Sequence, residues 1–120
     1  MDHPIRYAVS IRGEWLEDRR PLRKRIAVYE VVKHLAATKK YTVDAINSAV
    51  KEIRPQGIVR DVEKIRKRDC FFHAKDQLIE ENGSTYALSN RFGLKTTQST
   101  LDALIKHFPE EQIRYESVQK

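Results

Sequence analysis

Apolar residues along this chain change period several times, and the changes divide it into elements. Ile5-Arg6-Tyr7-Ala8-Val9-Ser10-Ile11 alternates apolar and other residues and runs into Gly13, the pattern of a short strand. From Leu22 to about Ala37, apolar residues cover most of a helical circumference and leave Glu30 and His34 as the wettest stripe. Pro21 fits the first turn of that helix, where its missing N–H is not needed. Lys39-Lys40-Tyr41 ends it. Thr42 then offers a hydroxyl cap to a second helix, which carries Val43, Ile46, Val50 and Ile53 on one face.

Pro55-Gln56-Gly57 breaks the second helix. The spacing of Ile58, Val59, Val62 and Ile65 predicts a third over 58–68, whose far side carries Arg60, Lys64 and Lys67 within about 60° of each other. A hairpin follows over 77–89. It closes at Asn82-Gly83, which tolerates the positive φ of a two-residue turn, and it pairs Ile79 with Tyr86 and Gln77 with Leu88. A last helix opens near Ser99, with Asp102 in a capping-box-like position, turns Leu101, Leu104, Ile105 and Phe108 inward and stops at Pro109. Residues 110–120 read as a polar tail. Packing the second and third helices under the hairpin requires Val50, Ile53, Val62, Ile65 and Tyr86 to be buried.

Length and composition add a frame. The chain has 120 residues, 40% of them hydrophobic, enough for one core and without an internal linker. The expected division is a strand and charged arm over 1–20, a core over 21–93, and a C-terminal helix with tail over 94–120. No run approaches the roughly 20 apolar residues that span a bilayer, and the first residues lack the order of a secretion signal. Cys70 is the only cysteine, so no internal disulfide forms and a cytoplasmic setting is expected. Residues 1–69 hold 17 Lys/Arg against 10 Asp/Glu, while 70–120 hold 6 against 7. A basic front half on a nearly neutral back half points to an anionic partner.

The segment Leu78-Ile79-Glu80-Glu81-Asn82-Gly83-Ser84-Thr85-Tyr86-Ala87-Leu88-Ser89, running on to Gly93, resembles the hairpin of the winged helix-turn-helix superfamily. With the helices before it, the resemblance covers about residues 21–93. It implies an α+β fold: a three-helix core, a β-hairpin wing and a C-terminal helix. It would make 58–68 the recognition helix and 82–85 the wing tip. Arg60, Lys64 and Lys67 would then meet duplex DNA in the major groove, and Lys39, Lys40, Arg23 and Arg20 would contact phosphates. A transcriptional regulator or DNA-docking subunit is the implied role. Because one short helix reads few base pairs, a homodimer through Leu101, Leu104, Ile105 and Phe108 is expected.

Other readings remain open. The third helix could present a solvated face paired with Asp61 and Glu63. The uncharged hairpin tip behind Glu80-Glu81 suits a protein–protein adaptor. Arg19–Arg25, with Trp15 and Tyr7 nearby, could bind RNA, and Trp15 could stack on a base. No cofactor or metal is expected: Cys70 and His73 offer one ligand pair, where structural zinc takes four ligands. No phosphate loop, nucleophile elbow or zinc-protease motif occurs, so the chain is not expected to be an enzyme.

Overall fold

A computed structural model of the chain describes residues 5–55, 57–64, 78–81, 83–89 and 94–119. The described elements are three α-helices and two antiparallel three-stranded sheets. They group into two compact units, Met1–Val31 with Phe92–Lys120, and Val32–Arg91, the boundary falling inside helix α1 (Lys24–Ala37).

The first unit is built from the two ends of the chain. Strand β1 (Ile5–Ile11) turns through Arg12 and Gly13 into β2 (Glu14–Trp15), with Ile11 opposite Glu14. Both turn residues have positive φ, 55° and 83°, which matches the right-handed twist of a tight hairpin. On its other side β1 pairs along its whole length with β6 (Ile113–Gln119), from Ile5 opposite Gln119 to Ile11 opposite Ile113. Tyr7 also exchanges two backbone hydrogen bonds with Leu22, at 2.8 and 2.7 Å, on the edge away from β6. Tyr7 to Ile11 are all buried.

Helix α3 (Leu94–His107) starts ahead of Ser99, so the cap expected there is an interior position. Its Leu101 and Leu104, with the following Phe108, join the buried apolar set. The predicted polar tail is also corrected. Ile113 is buried, and the fully buried Glu111 accepts a hydrogen bond from the Arg12 guanidinium at 3.1 Å. The strand was hidden because, among its described side chains, Ile113 alone is buried, and Glu111 lies in the turn before it.

In the second unit, helix α2 (Val43–Ala49) starts where expected, with the Thr42 hydroxyl accepting from the Ala45 N–H at 3.1 Å. It is shorter than the predicted helix, and turns follow it. The predicted third helix is absent from the described part of its range. Val59–Asp61 is strand β3, pairing Val59, Arg60 and Asp61 with Leu88, Ala87 and Tyr86, and Val62–Lys64 is a single 3-10 turn. Positions 65–68, Ile65 and Lys67 among them, lie outside the described residues. The hairpin of β4 (Leu78–Glu81) and β5 (Ser84–Leu88) has the predicted register, Ile79 opposite Tyr86. Gln77 and Asn82 are outside the described residues, while Gly83 has φ 82°. The sheet order is β3-β5-β4. Val50 is buried, whereas Ile53, Val62 and Tyr86 are only partly so.

These findings overturn the winged helix-turn-helix arrangement. A strand stands where its third helix should begin, the wing is the outer part of a three-stranded sheet, and the chain ends form a second sheet.

One side chain explains why Ile58-Val59 extends instead of coiling. Asn47, on α2, accepts from the N–H groups of Ile58 and Val59 at 2.9 and 3.0 Å and donates to the Val59 carbonyl at 2.9 Å. An α-helix starting at 58 would turn the Val59 carbonyl toward the N–H four residues on and take it from Asn47. Gly57 makes the approach possible: its φ is 80°, and a Cβ there would lie 2.6 Å from Asn47 Cγ and Oδ1. Asn47→Ala should therefore cost about 3 kcal/mol through unpaired backbone groups, and Gly57→Ala about as much through clash and left-handed strain. In the double variant the clash is gone, so the combined loss should fall short of the sum by about 1 kcal/mol or more. Denaturant unfolding of the four proteins checks this; strict additivity would contradict the clamp.

Candidate nucleic-acid interface

The basic residues singled out from the sequence sit mostly in connections. Arg20 and Arg23 are exposed ahead of α1, whose first turn carries no acidic residue. Lys39 and Lys40 are exposed in the turn after α1, and Lys64 is exposed at the end of its 3-10 turn. Arg60 is half-buried on β3. Lys67 lies outside the described residues. Since 59–61 is a strand, side chains there alternate between faces, and the helical stripe expected to join Arg60 to Lys64 does not form.

The turn after α1 has an unusual construction. The Thr38 hydroxyl donates to the Leu35 carbonyl at 2.8 Å and accepts from the Lys40 N–H at 3.2 Å. Between them Lys39 takes φ 61°. Glycine is the common residue at such a left-handed helix end, because a Cβ there meets the neighbouring carbonyl. The cation is partly compensated by the negative end of the helix dipole.

Several carboxylates are held inside their own units. Glu111 pairs with Arg12, and Glu116 accepts two hydrogen bonds from Arg19 at 2.7 and 2.9 Å. Glu81 accepts from the Val43 N–H at 2.8 Å, capping α2 from the sheet, and Asp61 accepts from the Glu63 N–H at 2.9 Å. Asp102 accepts from the Tyr115 hydroxyl at 2.8 Å. The Arg19 bonds hold the Glu116 carboxyl below its usual range.

Sequence reasoning missed a row across the first sheet. Trp15 lies opposite Ser10, and Ser10 opposite Arg114, so the three share one level on one face of β2-β1-β6. Arg19 adds to it, its guanidinium 4.3 Å from the Trp15 ring centroid, a cation–π contact. The backbone that delivers Arg19 is left-handed at Glu17, Asp18 and Arg19, with φ 48°, 55° and 67°. The only available signal was the alternation of Ile113, Tyr115 and the charged residues between, which reads as a strand only once a partner is known.

The expected dimer stripe is mostly used within the chain. Leu101 and Leu104 are fully buried and Phe108 is 6% exposed, leaving Ile105 half-exposed. Among the described residues no cluster of three or more His, Cys, Asp or Glu could hold a metal ion, and no helix is long and apolar enough to cross a membrane. Cys70 and His73 lie outside the described residues. No family model, curated protein or solved structure matches the chain.

Tyr115 gives a pH test of the first unit. Burial, then its bond to Asp102, pushes its phenol above the ordinary value of 10.0. A raised phenol stabilises the fold fully below pH about 10, and that contribution is lost as pH rises toward the folded value. Tyr115→Phe should therefore make the loss of stability above pH 10 shallower by about one proton. Unfolding measured from pH 8 to 11 checks this; unchanged steepness would contradict the raised phenol.

Proposed function

We propose that the chain is a non-catalytic module that binds duplex DNA through exposed cationic turns, as a regulator or a docking subunit. The observation that carries this reading is Lys39. A lysine occupies a left-handed position at which glycine is the default, it is exposed, and a second exposed lysine follows it. Strained positions of this kind persist where surrounding structure holds them, and they cluster at functional sites. Support also comes from the exposure of Arg20, Arg23, Lys39, Lys40 and Lys64, while Glu111 is buried against Arg12 and Glu81 caps α2. Contacts from turns reach phosphates rather than base edges, so binding is electrostatic and weakly selective for sequence.

A second reading, protein docking, rests on β6. It is a seven-residue strand at the edge of its sheet. Because Tyr7 spends both backbone groups on Leu22, Ser117 opposite it points its N–H and carbonyl outward. Such an edge can accept a peptide as a further strand. Ser117→Pro would abolish protein docking of this kind and leave DNA binding intact.

Lys39→Gly separates function from folding. It should keep or raise stability, by up to about 1 kcal/mol. It should also weaken duplex binding and reduce the slope of log affinity against log salt by roughly one unit. Arg20→Ala with Arg23→Ala should reduce the slope by roughly two. Titrations of random duplex DNA across a salt series read both, with single-stranded RNA as control. Wild-type affinity and slope in all three substitutions together would reject the proposal, and tighter binding to RNA would replace the partner.

A further inference from the structure

The row Trp15–Ser10–Arg114 walls a shallow pocket of about 300 Å³, completed by Gly13 and Gln112. Its origin is the register of the sheet. A small residue, Ser10, stands between two large ones on neighbouring strands, so a slot opens above it. Two strand spacings separate Trp15 from Arg114, about 10 Å between their backbones. Gly13 has no side chain to close the end of the slot, and Gln112, at φ 50°, takes a left-handed turn at its mouth. Arg19 lies on the Trp15 ring and is itself fixed by the two bonds it donates to Glu116, so the indole is held in place before any ligand arrives.

We propose that this slot binds a nucleoside monophosphate, free or as the phosphorylated end of a single strand. The indole supplies a flat apolar surface on which a base stacks. Arg114, exposed at the opposite wall, offers a planar fork of donors that matches a phosphate. The exposed Gln112 amide provides donors and acceptors for the polar edge of the ring or the ribose, and Ser10, 3% exposed, forms the floor. The volume lies at the small end of ligand pockets, which suits one nucleotide and no longer unit. The site stands whether or not the cationic turns meet duplex DNA, since none of Arg20, Arg23, Lys39 and Lys40 lines it.

Trp15 is the only tryptophan in the chain, so its fluorescence reports the pocket alone. The full chain is titrated with adenosine 5′-monophosphate, adenosine, inorganic phosphate and a 5′-phosphorylated single-stranded oligonucleotide. The account expects saturable quenching by the monophosphate, the oligonucleotide or both, and weaker effects from adenosine or phosphate alone. Arg114→Ala should weaken binding by roughly tenfold or more, with Arg114→Lys recovering part of it. Ser10→Val should abolish binding by filling the slot, in a residue type that strands favour. Circular dichroism verifies that each variant folds, and the Arg114 pair decides if Ser10→Val does not. Absence of saturable change with both phosphorylated probes overturns the proposal. So does equal affinity in wild type and Arg114→Ala, and so does binding of adenosine as tight as that of the monophosphate.

Discussion

The antiparallel pairing of β1 with β6 is the contact on which the first unit depends. It joins Ile5 to Gln119 and Ile11 to Ile113, so nearly the whole chain is the loop that must close. Closing such a loop costs entropy before any contact rewards it. The return is burial of Tyr7, Val9 and Ile113, a partner for Glu111 in Arg12, and a surface against which Tyr115 can reach Asp102 on α3. The same register sets Trp15, Ser10 and Arg114 in line. Without β6 there is no opposite wall and no slot.

The second unit uses a more local device. Asn47 imitates a neighbouring strand for Ile58 and Val59 and holds them extended while β5 pairs with β3. Glu81 acts in the reverse direction, reaching from the sheet to cap α2. Helix and sheet are thus tied by two side-chain links of opposite sense, each satisfying a backbone group that would otherwise be left without a partner.

What the sequence revealed follows from how local each cause is. Helix α1, the Thr42 cap, strand β1 and the hairpin register were legible because their signals lie within a few residues. Strand β3 was not. Ile58, Val59 and Val62 fit a helical spacing, and what decides against it is Asn47 together with the pairing of β3 on β5. Helix α3 begins earlier than read because its first turns carry Thr96, Thr97, Gln98 and Ser99, which look like a cap and not like a helix interior. For the site, charge alone picked out Arg20, Arg23, Lys39 and Lys40, and all four are exposed. The grouping of Arg60 and Lys64 depended on a helix that does not form. The strain at Lys39 and the Trp15–Arg114 slot need backbone angles and a distant partner strand, which spacing cannot supply.

The central proposal is that turns, and not a helix over 58–68, meet an anionic partner. Backbone amide shifts followed by nuclear magnetic resonance during titration with a short random duplex test it most directly. The account predicts perturbations centred on residues 20–25 and 38–41 that fade as salt is raised. Perturbations confined to β3 and the hairpin, or none at low salt, would contradict it.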